Sequence, residues 1–369
     1  MPTLLLTGDV MIGRGIDQIL RHPSSPELYE PVVGSANIYV ELAEKKNGRI
    51  PRHVADDYVW GDALPGLRAA DATVVNLETA VTRADQPAPK GINYRCHPDN
   101  LTCLTAAGID CCGLANNHVL DWREKGLIET LRSLDRGGLR HAGAGRDLTE
   151  AAAPAFVPLP GGGRLLVYAL GSPTSGVPRS WAAGPGRPGV QLLGNYAGAL
   201  AHLRARIAAD RREGDIVLIS IHWGPNWGYD IPDTDRSFAH RLIDHAGADI
   251  IHGHSSHHAK ALELHRGKPI LYGCGDFLND YEGIGGKEEF RPDLVLGYRL
   301  HFRRGRDLAA LELLPFRIDR FRLHHASQQD AKWLGARLDR ESRRFGTAVS
   351  VSDDVLRVSA VAQSPVRQD

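Results

Sequence analysis

The chain carries no excess charge of either sign: 44 lysines and arginines balance 44 aspartates and glutamates across 369 residues. Without a basic tract there is no electrostatic footprint for nucleic acid or for an anionic membrane. Cysteine is scarce. There are five, none in a Cys-x-x-Cys pair, which argues against a zinc-finger or disulfide framework. The adjacent Cys111 and Cys112 lie in an apolar run, where buried thiols suit a reducing compartment. No run of roughly 18 apolar residues occurs, and no charged n-region with a long apolar h-region precedes the first strand. These absences predict a cytoplasmic protein with neither a membrane nor a nucleic-acid partner. The Gly-x-Ser-x-Gly elbow of serine hydrolases and the Gly-x-x-x-x-Gly-Lys-[Ser/Thr] phosphate loop are also missing. There is no internal repeat and no low-complexity linker.

What is present is a series of short apolar runs, each ending in a polar residue. Thr3 to Leu6 runs into Gly8-Asp9, and Ala72 to Val75 into Asn76-Leu77-Glu78. Ile109 to Leu114 runs into Asn116-Asn117-His118, and Ile216 to Ile221 into His222-Trp223-Gly224. Ile250-Ile251 leads to Gly253-His254-Ser255-Ser256-His257. Five strands would each deliver an oxygen or nitrogen donor to the carboxyl edge of a sheet, where open α/β folds place their sites. Aspartate, glutamate, asparagine and several histidines together have the donor mix of a two-metal centre.

Between these runs, helices are expected over 121–136 (with Ile128, Leu131 and Leu134 on one face), 197–212, 235–246 and 327–345. Further strands are expected at 155–158, 165–170 and 269–273, and antiparallel ones at 294–302, 308–315 and 317–323. Residues 1–325 read as one domain with mixed sheets, and 326–369 as a helix-and-hairpin appendage.

Each motif also has a plainer reading. Gly8-Asp9 could be a turn, Asn116-Asn117 a helix cap, and His222 a satisfied strand-end histidine. His252 is expected to face the other side of its strand in a structural role, and His324-His325 to lie at the surface. Trp223, Trp227 and Tyr229 are by default packing residues. Three histidines in five residues after Gly253 are harder to place without chemistry.

The segments Gly8-Asp9-Val10-Met11-Ile12-Gly13-Arg14, Asn76-Leu77-Glu78-Thr79, Ala115 to Asp121, Ile221 to Gly224 and Gly253 to His257 resemble, in order, the motifs of the capsule-synthesis, poly-γ-glutamate (CapA-type) family, itself similar to calcineurin-like metallophosphoesterases. The resemblance implies a four-layer α/β/β/α sandwich with mixed sheets and two divalent metal ions (Mn, Zn, Fe, Mg or Ca) at its top. Asp9 would bind the first metal, Glu78 would bridge both, and Asn117, His222 and His254 would bind the second. His257 would return to the first metal, and His118 would serve as an acid/base group. The chain departs from the phosphoesterase pattern in three places. Met11 stands where Asp-x-His has its histidine, Glu78 ends the motif that usually supplies a bridging aspartate, and the final Gly-His-x-His has an extra residue. Asp276, in Gly273-Cys274-Gly275-Asp276-Phe277, is a further candidate without an assigned role.

Within that resemblance, the missing membrane anchor points to the branch that epimerises lasso-type precursor peptides. The expected activity is therefore metal-assisted proton exchange at an amino-acid Cα of a peptide substrate. His118 and His257 would carry the proton, Arg14 would grip the peptide carboxylate, and Trp223, Trp227 and Tyr229 would line a pocket. A phosphoesterase using the same metals and a capsule or poly-γ-glutamate biosynthesis protein are the alternatives.

Overall fold

The computed structural model describes residues 1–303 and 306–361. Two sheets lie face to face. The larger one runs in the order Thr347–Ser352, Val355–Ala360, Leu308–Asp319, Leu294–Phe302, Thr3–Val10, Ala72–Leu77, Cys111–Gly113, Arg140–Ala142, and Asp276–Leu278 also pairs with Thr3–Val10. The second sheet runs Leu262–His265, Lys268–Leu271, Ile250–His254, Ile216–His222, Arg164–Gly171, Ala155–Pro158.

The period-two alternation of side chains along a strand sorts the apolar residues into layers. Leu4, Leu6 and Val74 of the first sheet share a core with Val167, Leu218 and Ile250 of the second. Their chain neighbours Leu5 and Val75 face outward and meet Leu127, Leu131 and Leu134 of the helix Arg123–Arg136. Val217 and Ile219 face the opposite way and meet Leu200, Leu203 and Ile207 of the helix Tyr196–Asp210. The result is an α/β/β/α sandwich, as the resemblance implied.

Several elements differ from expectation. Leu127, not Ile128, heads the buried stripe of its helix, because i, i+4, i+7 spacing from Leu127 keeps all three leucines on one face. The runs expected at 308–315 and 317–323 are one strand, Leu308–Asp319, which continues through Pro315 and turns at Arg320 and Phe321 into Arg322–His325. The helix Asn37–Asn47 emerges from a stretch with no clear pattern. The helix expected at 235–246 ends its α-helical part at Arg241 and continues as a π turn, Leu242–Ala246.

The C-terminal helix Gln328–Arg343 and its hairpin extend the larger sheet through Leu311–Val358 and Leu313–Leu356 pairing. They also send Leu334, Leu338 and Leu356 into the core between the sheets. Residues 362–369 of the expected appendage lie outside the described residues. Among the described residues, no helix is long and apolar enough to cross a membrane.

A candidate metal centre where the two sheets meet

The parallel strands of both sheets deliver their carboxyl ends to one place. Asp9 is the penultimate residue of Thr3–Val10, Glu78 follows Ala72–Leu77, and His222 and His254 end their strands. Asp276 opens Asp276–Leu278 and stands opposite Asp9 in parallel register. Two backbone features make this approach feasible. A Cβ on Gly8 would stand 1.7 Å from the Gly275 carbonyl oxygen, so only glycine lets the strand bring Asp9 against Asp276. Ser255 takes a φ of +102°, a strained conformation that directs its N–H onto Asp9 Oδ2 at 3.1 Å.

Two donor clusters meet at Asp9. In the first, Asp9 Oδ1 lies 3.6 Å from His254 Nδ1 and 3.9 Å from His222 Nδ1, and those two nitrogens are 2.8 Å apart. In the second, Asp9 joins His257 and Asp276, whose Nδ1 and Oδ1 are 2.9 Å apart. Asn117 Oδ1 is 3.0 Å from His222 Nε2. Glu78 Oε1 is 3.7 Å from His222 Nε2 and 3.8 Å from His118 Nε2. His118 Nδ1 bonds Asp121 at 2.6 Å, which aims Nε2 at Glu78. The candidate residues Asp9, Glu78, Asn117, His118, His222, His254, His257 and Asp276 thus share one site, and the carboxylate common to both clusters is Asp9 rather than Glu78.

Burial sets the electrostatics. Asp9 is pushed up to about 7, first by desolvation and then by the nearby Asp276. Glu78 is raised for the same two kinds of reason, desolvation followed by the charge on Asp9. Desolvation drives His222 and His254 well below the ordinary histidine value and keeps them neutral, the form that ligates metals. Burial also acts to lower His257, but Asp276 outweighs it and the net shift is upward.

Crowding carboxylates in a buried place without a cation is costly. Here Glu78 Oε2 is buried without a hydrogen-bond partner among the described residues, and two imidazole nitrogens converge on one carboxylate oxygen. Nitrogen and oxygen donors of this kind fit a divalent ion. The missing histidine of the first motif has a structural counterpart. Met11 is buried and accepts a weak bond from Tyr281 OH, while Asp276 supplies a donor beside Asp9.

Three expected substrate contacts are placed otherwise. Arg14 is buried and its fork is already closed: Nε and Nη2 donate to Asp280 at 2.8 and 2.5 Å, and Nη1 donates to Glu30 at 2.9 Å. It cannot also hold a ligand carboxylate. Trp223 is a core residue whose indole N–H donates to the Tyr272 carbonyl. Tyr229 packs against His258 and Phe290, whereas Trp227 stands 5.3 Å from the His257 ring and does flank the site. His252 shares a face with His254, since residues two apart on a strand must. Its Nε2 reaches across to the Thr7 carbonyl of the other sheet at 2.8 Å, a structural role.

Sequence reasoning missed four supporting residues. Asn76 donates to Asp9 Oδ1 at 2.7 Å, and period-two spacing from Glu78 could have found it. Asp121 lies three residues after His118, the spacing of one turn. Lys90 donates to Asp121 at 2.7 Å, and Asn226 bonds His257 Nε2 at 3.0 Å. These two come from distant loops that no local pattern marks.

An α/β sandwich with a carboxylate–imidazole cluster at its edge is compatible with the metallophosphoesterase-like proteins, to which the bacterial capsule-synthesis family is related. The model of the bacterial capsule synthesis protein PGA_cap matches residues 3–281, and the chain belongs to that family. It is 48% identical over 360 residues to a "probable polyglutamine synthesis accessory protein" of Mycobacterium tuberculosis, covering 96% of this chain and 94% of that one. It is 26% identical over 276 residues to the PGA biosynthesis protein CapA of Bacillus subtilis, covering 74% and 62%. With the capsule biosynthesis protein CapA of Bacillus anthracis, identity is 24% over 320 residues, covering 86% and 67%. These relatives overturn the expectation of a lasso-peptide epimerase. They are named for capsule, PGA and polyglutamine synthesis, which matches the capsule alternative. That expectation rested on membrane anchoring, which says where a protein sits and nothing about the bond it acts on.

Proposed function

We propose that this chain is an accessory protein in the synthesis of a capsule-type anionic polymer, and that its metal centre serves there as a phosphoester hydrolase. The observation that carries the reading is the pair of donor clusters sharing Asp9, with the hydrogen-bonded dyad His118–Asp121 beside Glu78. Asp9, His222 and His254 would hold one divalent ion, and Asp9, His257 and Asp276 a second, with Glu78 in reach of the first cluster. Such a pair supplies Lewis acidity toward a phosphoryl oxygen and an acidified water.

The chain's own residues do the rest. Burial holds the His118 imidazole neutral, pushed down to about 4, with its Nδ1–H on Asp121 and a lone pair on Nε2 facing the site. It accepts a proton at Nε2 and returns it to the leaving oxygen. Lys90, bonded to Asp121 and to the Asn117 carbonyl, fixes the dyad and the loop together. Trp227 and Tyr281 flank His257 and restrict the approach of water from that side.

The test has two arms. Purified protein should hydrolyse bis(p-nitrophenyl) phosphate with added Mn²⁺ and stop when the metal is chelated. In a capsule-forming host lacking its own family member, the wild-type chain should restore polymer and the Asp9→Asn/His254→Gln variant should not. Polymer restored equally by that variant would refute a working metal centre. Absence of hydrolysis with every divalent ion tried would refute the phosphoester chemistry.

A further inference from the structure

A row of half-buried aromatic side chains runs outward from the metal centre. The Trp227 ring lies 5.3 Å from His257, Phe290 lies 5.4 Å from Trp227, and Tyr229 lies 5.5 Å from Phe290. Arg337, on the helix Gln328–Arg343, continues the row. Its guanidinium stands 4.6 Å from the centre of the Tyr229 ring and 5.5 Å from that of Trp333. Trp333 and Arg337 are four residues apart, which puts them on one helix face. Lys287 holds its ammonium 5.3 Å from the centre of the Trp227 ring. Lys287, Phe290, Trp333 and Arg337 all follow residue 281, where the match to the family model ends.

The cations of this strip differ from Arg14, whose fork carboxylates close. Among the described residues Arg337 makes no hydrogen bond, and its ion-pair contact is with Glu341 at 3.9 Å. Arg340 and Arg344 turn to the same Glu341 at 3.0 and 3.7 Å, so three arginines share one carboxylate and positive charge is left over. Lys287 is exposed, and its side chain makes no hydrogen bond or ion pair among the described residues. The neighbouring Glu288 carboxylate turns back to accept from the Gly286 N–H at 2.9 and 3.0 Å.

We propose that the strip formed by Trp227, Tyr229, Lys287, Phe290, Trp333 and Arg337 docks a linear polycarboxylate and leads it to the rim of the metal centre at His257. The choice of polymer rests on the function proposed above. A guanidinium resting on aromatic rings is held in place without using its N–H groups, so its fork stays open to a carboxylate. Single exposed ion pairs are weak, and affinity comes from repeated contacts along one chain. That favours a polymer over a small anion. Nucleic-acid bases bind by stacking on aromatic faces, whereas here Arg337 and Lys287 stand over those faces.

The experiment titrates full-length protein into fluorescently labelled poly-γ-glutamate and reads anisotropy. Excess chelator keeps metal from bridging the carboxylates. The polymer should bind at low salt and dissociate as salt is raised. Lys287→Gln/Arg337→Gln should weaken binding by about tenfold or more, with melting and bis(p-nitrophenyl) phosphate hydrolysis unchanged. Lys125→Gln/Arg132→Gln removes the same charge from an exposed face of the helix Arg123–Arg136 and should bind as the wild type does. If the first double variant does not fold, Lys287→Gln alone, on an exposed loop, should still bind measurably more weakly. The binding arm reads the strip and the hydrolysis arm reads the metal centre, so failure of this proposal is distinct from failure of the function above. No binding by the wild type, equal loss in both double variants, or tighter binding of a single-stranded oligonucleotide of matched charge would each overturn it.

Discussion

Replacing Asp9 by asparagine should stabilise the metal-free protein at pH 8 and remove the stabilisation that metal provides. The buried carboxyl is pushed up to about 7, against an ordinary value of 3.8. Between those values the folded chain holds a proton that the unfolded chain has released. Stability therefore falls as pH rises from about 4 to about 7 and stays reduced above it. At about 1.36 kcal/mol per pH unit, the gap between 3.8 and about 7 amounts to about 4 kcal/mol. Asparagine carries no charge and escapes that penalty. It also has one oxygen where Asp9 uses two, accepting from Asn76 and from the Ser255 N–H. One stranded buried donor costs about 1–3 kcal/mol. The net expectation is a gain of about 1–3 kcal/mol at pH 8 in chelator, by the same reckoning. A divalent ion at a hundred times its Kd adds about 2.7 kcal/mol to the wild type for each site filled. The variant lacks the carboxylate common to both clusters and should gain little. Urea unfolding at pH 8, in chelator and in Mn²⁺, measures all four states. If the variant gained as much from Mn²⁺ as the wild type, or were the less stable of the two in chelator, the shared role of Asp9 would be refuted.

His118→Gln should keep metal content unchanged and lower phosphoester turnover by about 10²–10⁴-fold, the usual worth of a proton carrier; metal analysis beside kinetics checks both halves, and unchanged turnover rules the dyad out. Arg14→Met should destabilise the fold by about 3–5 kcal/mol, because it leaves Asp280 and Glu30 buried without their partner. A loss under about 1 kcal/mol in urea unfolding would show that the pair carries no such weight. His252 is pushed down to about 4 by burial, so the unfolded chain takes up its proton first and stability is lost as pH falls from about 6.5 towards 4. That loss is about 3 kcal/mol, and His252→Gln should show a correspondingly flatter pH dependence over this window. Identical slopes for variant and wild type, measured in chelator, would contradict it.

Much of this architecture was legible in the chain itself. Leu4, Leu5 and Leu6 alternate between two cores, as do Val74 and Val75, so burial on both faces could be read from uninterrupted apolar runs. Because a parallel strand ends where its apolar run ends, strand direction alone assigns Asp9, Glu78, His222 and His254 to one edge. Arg14 shows the limit of such reading. Its motif marks it as a gripping residue, but Asp280, 266 positions along the chain, already occupies its fork. Trp223 is likewise claimed by the Tyr272 carbonyl, which the pairing of two strands brings beneath it.

Local order therefore determined which residues carry chemistry and at which end of the sheets they stand, since side-chain period and strand direction are properties of a few consecutive residues. Only the tertiary structure decided which of them are free. Asp276 faces Asp9 because two strands 267 residues apart pair in one register, and a backbone passing 1.7 Å from where a Cβ would stand permits only Gly8 beside it. Hydrogen-bond partners of this kind are selected by sheet assembly and close packing, which act between segments with no sequence relation to one another.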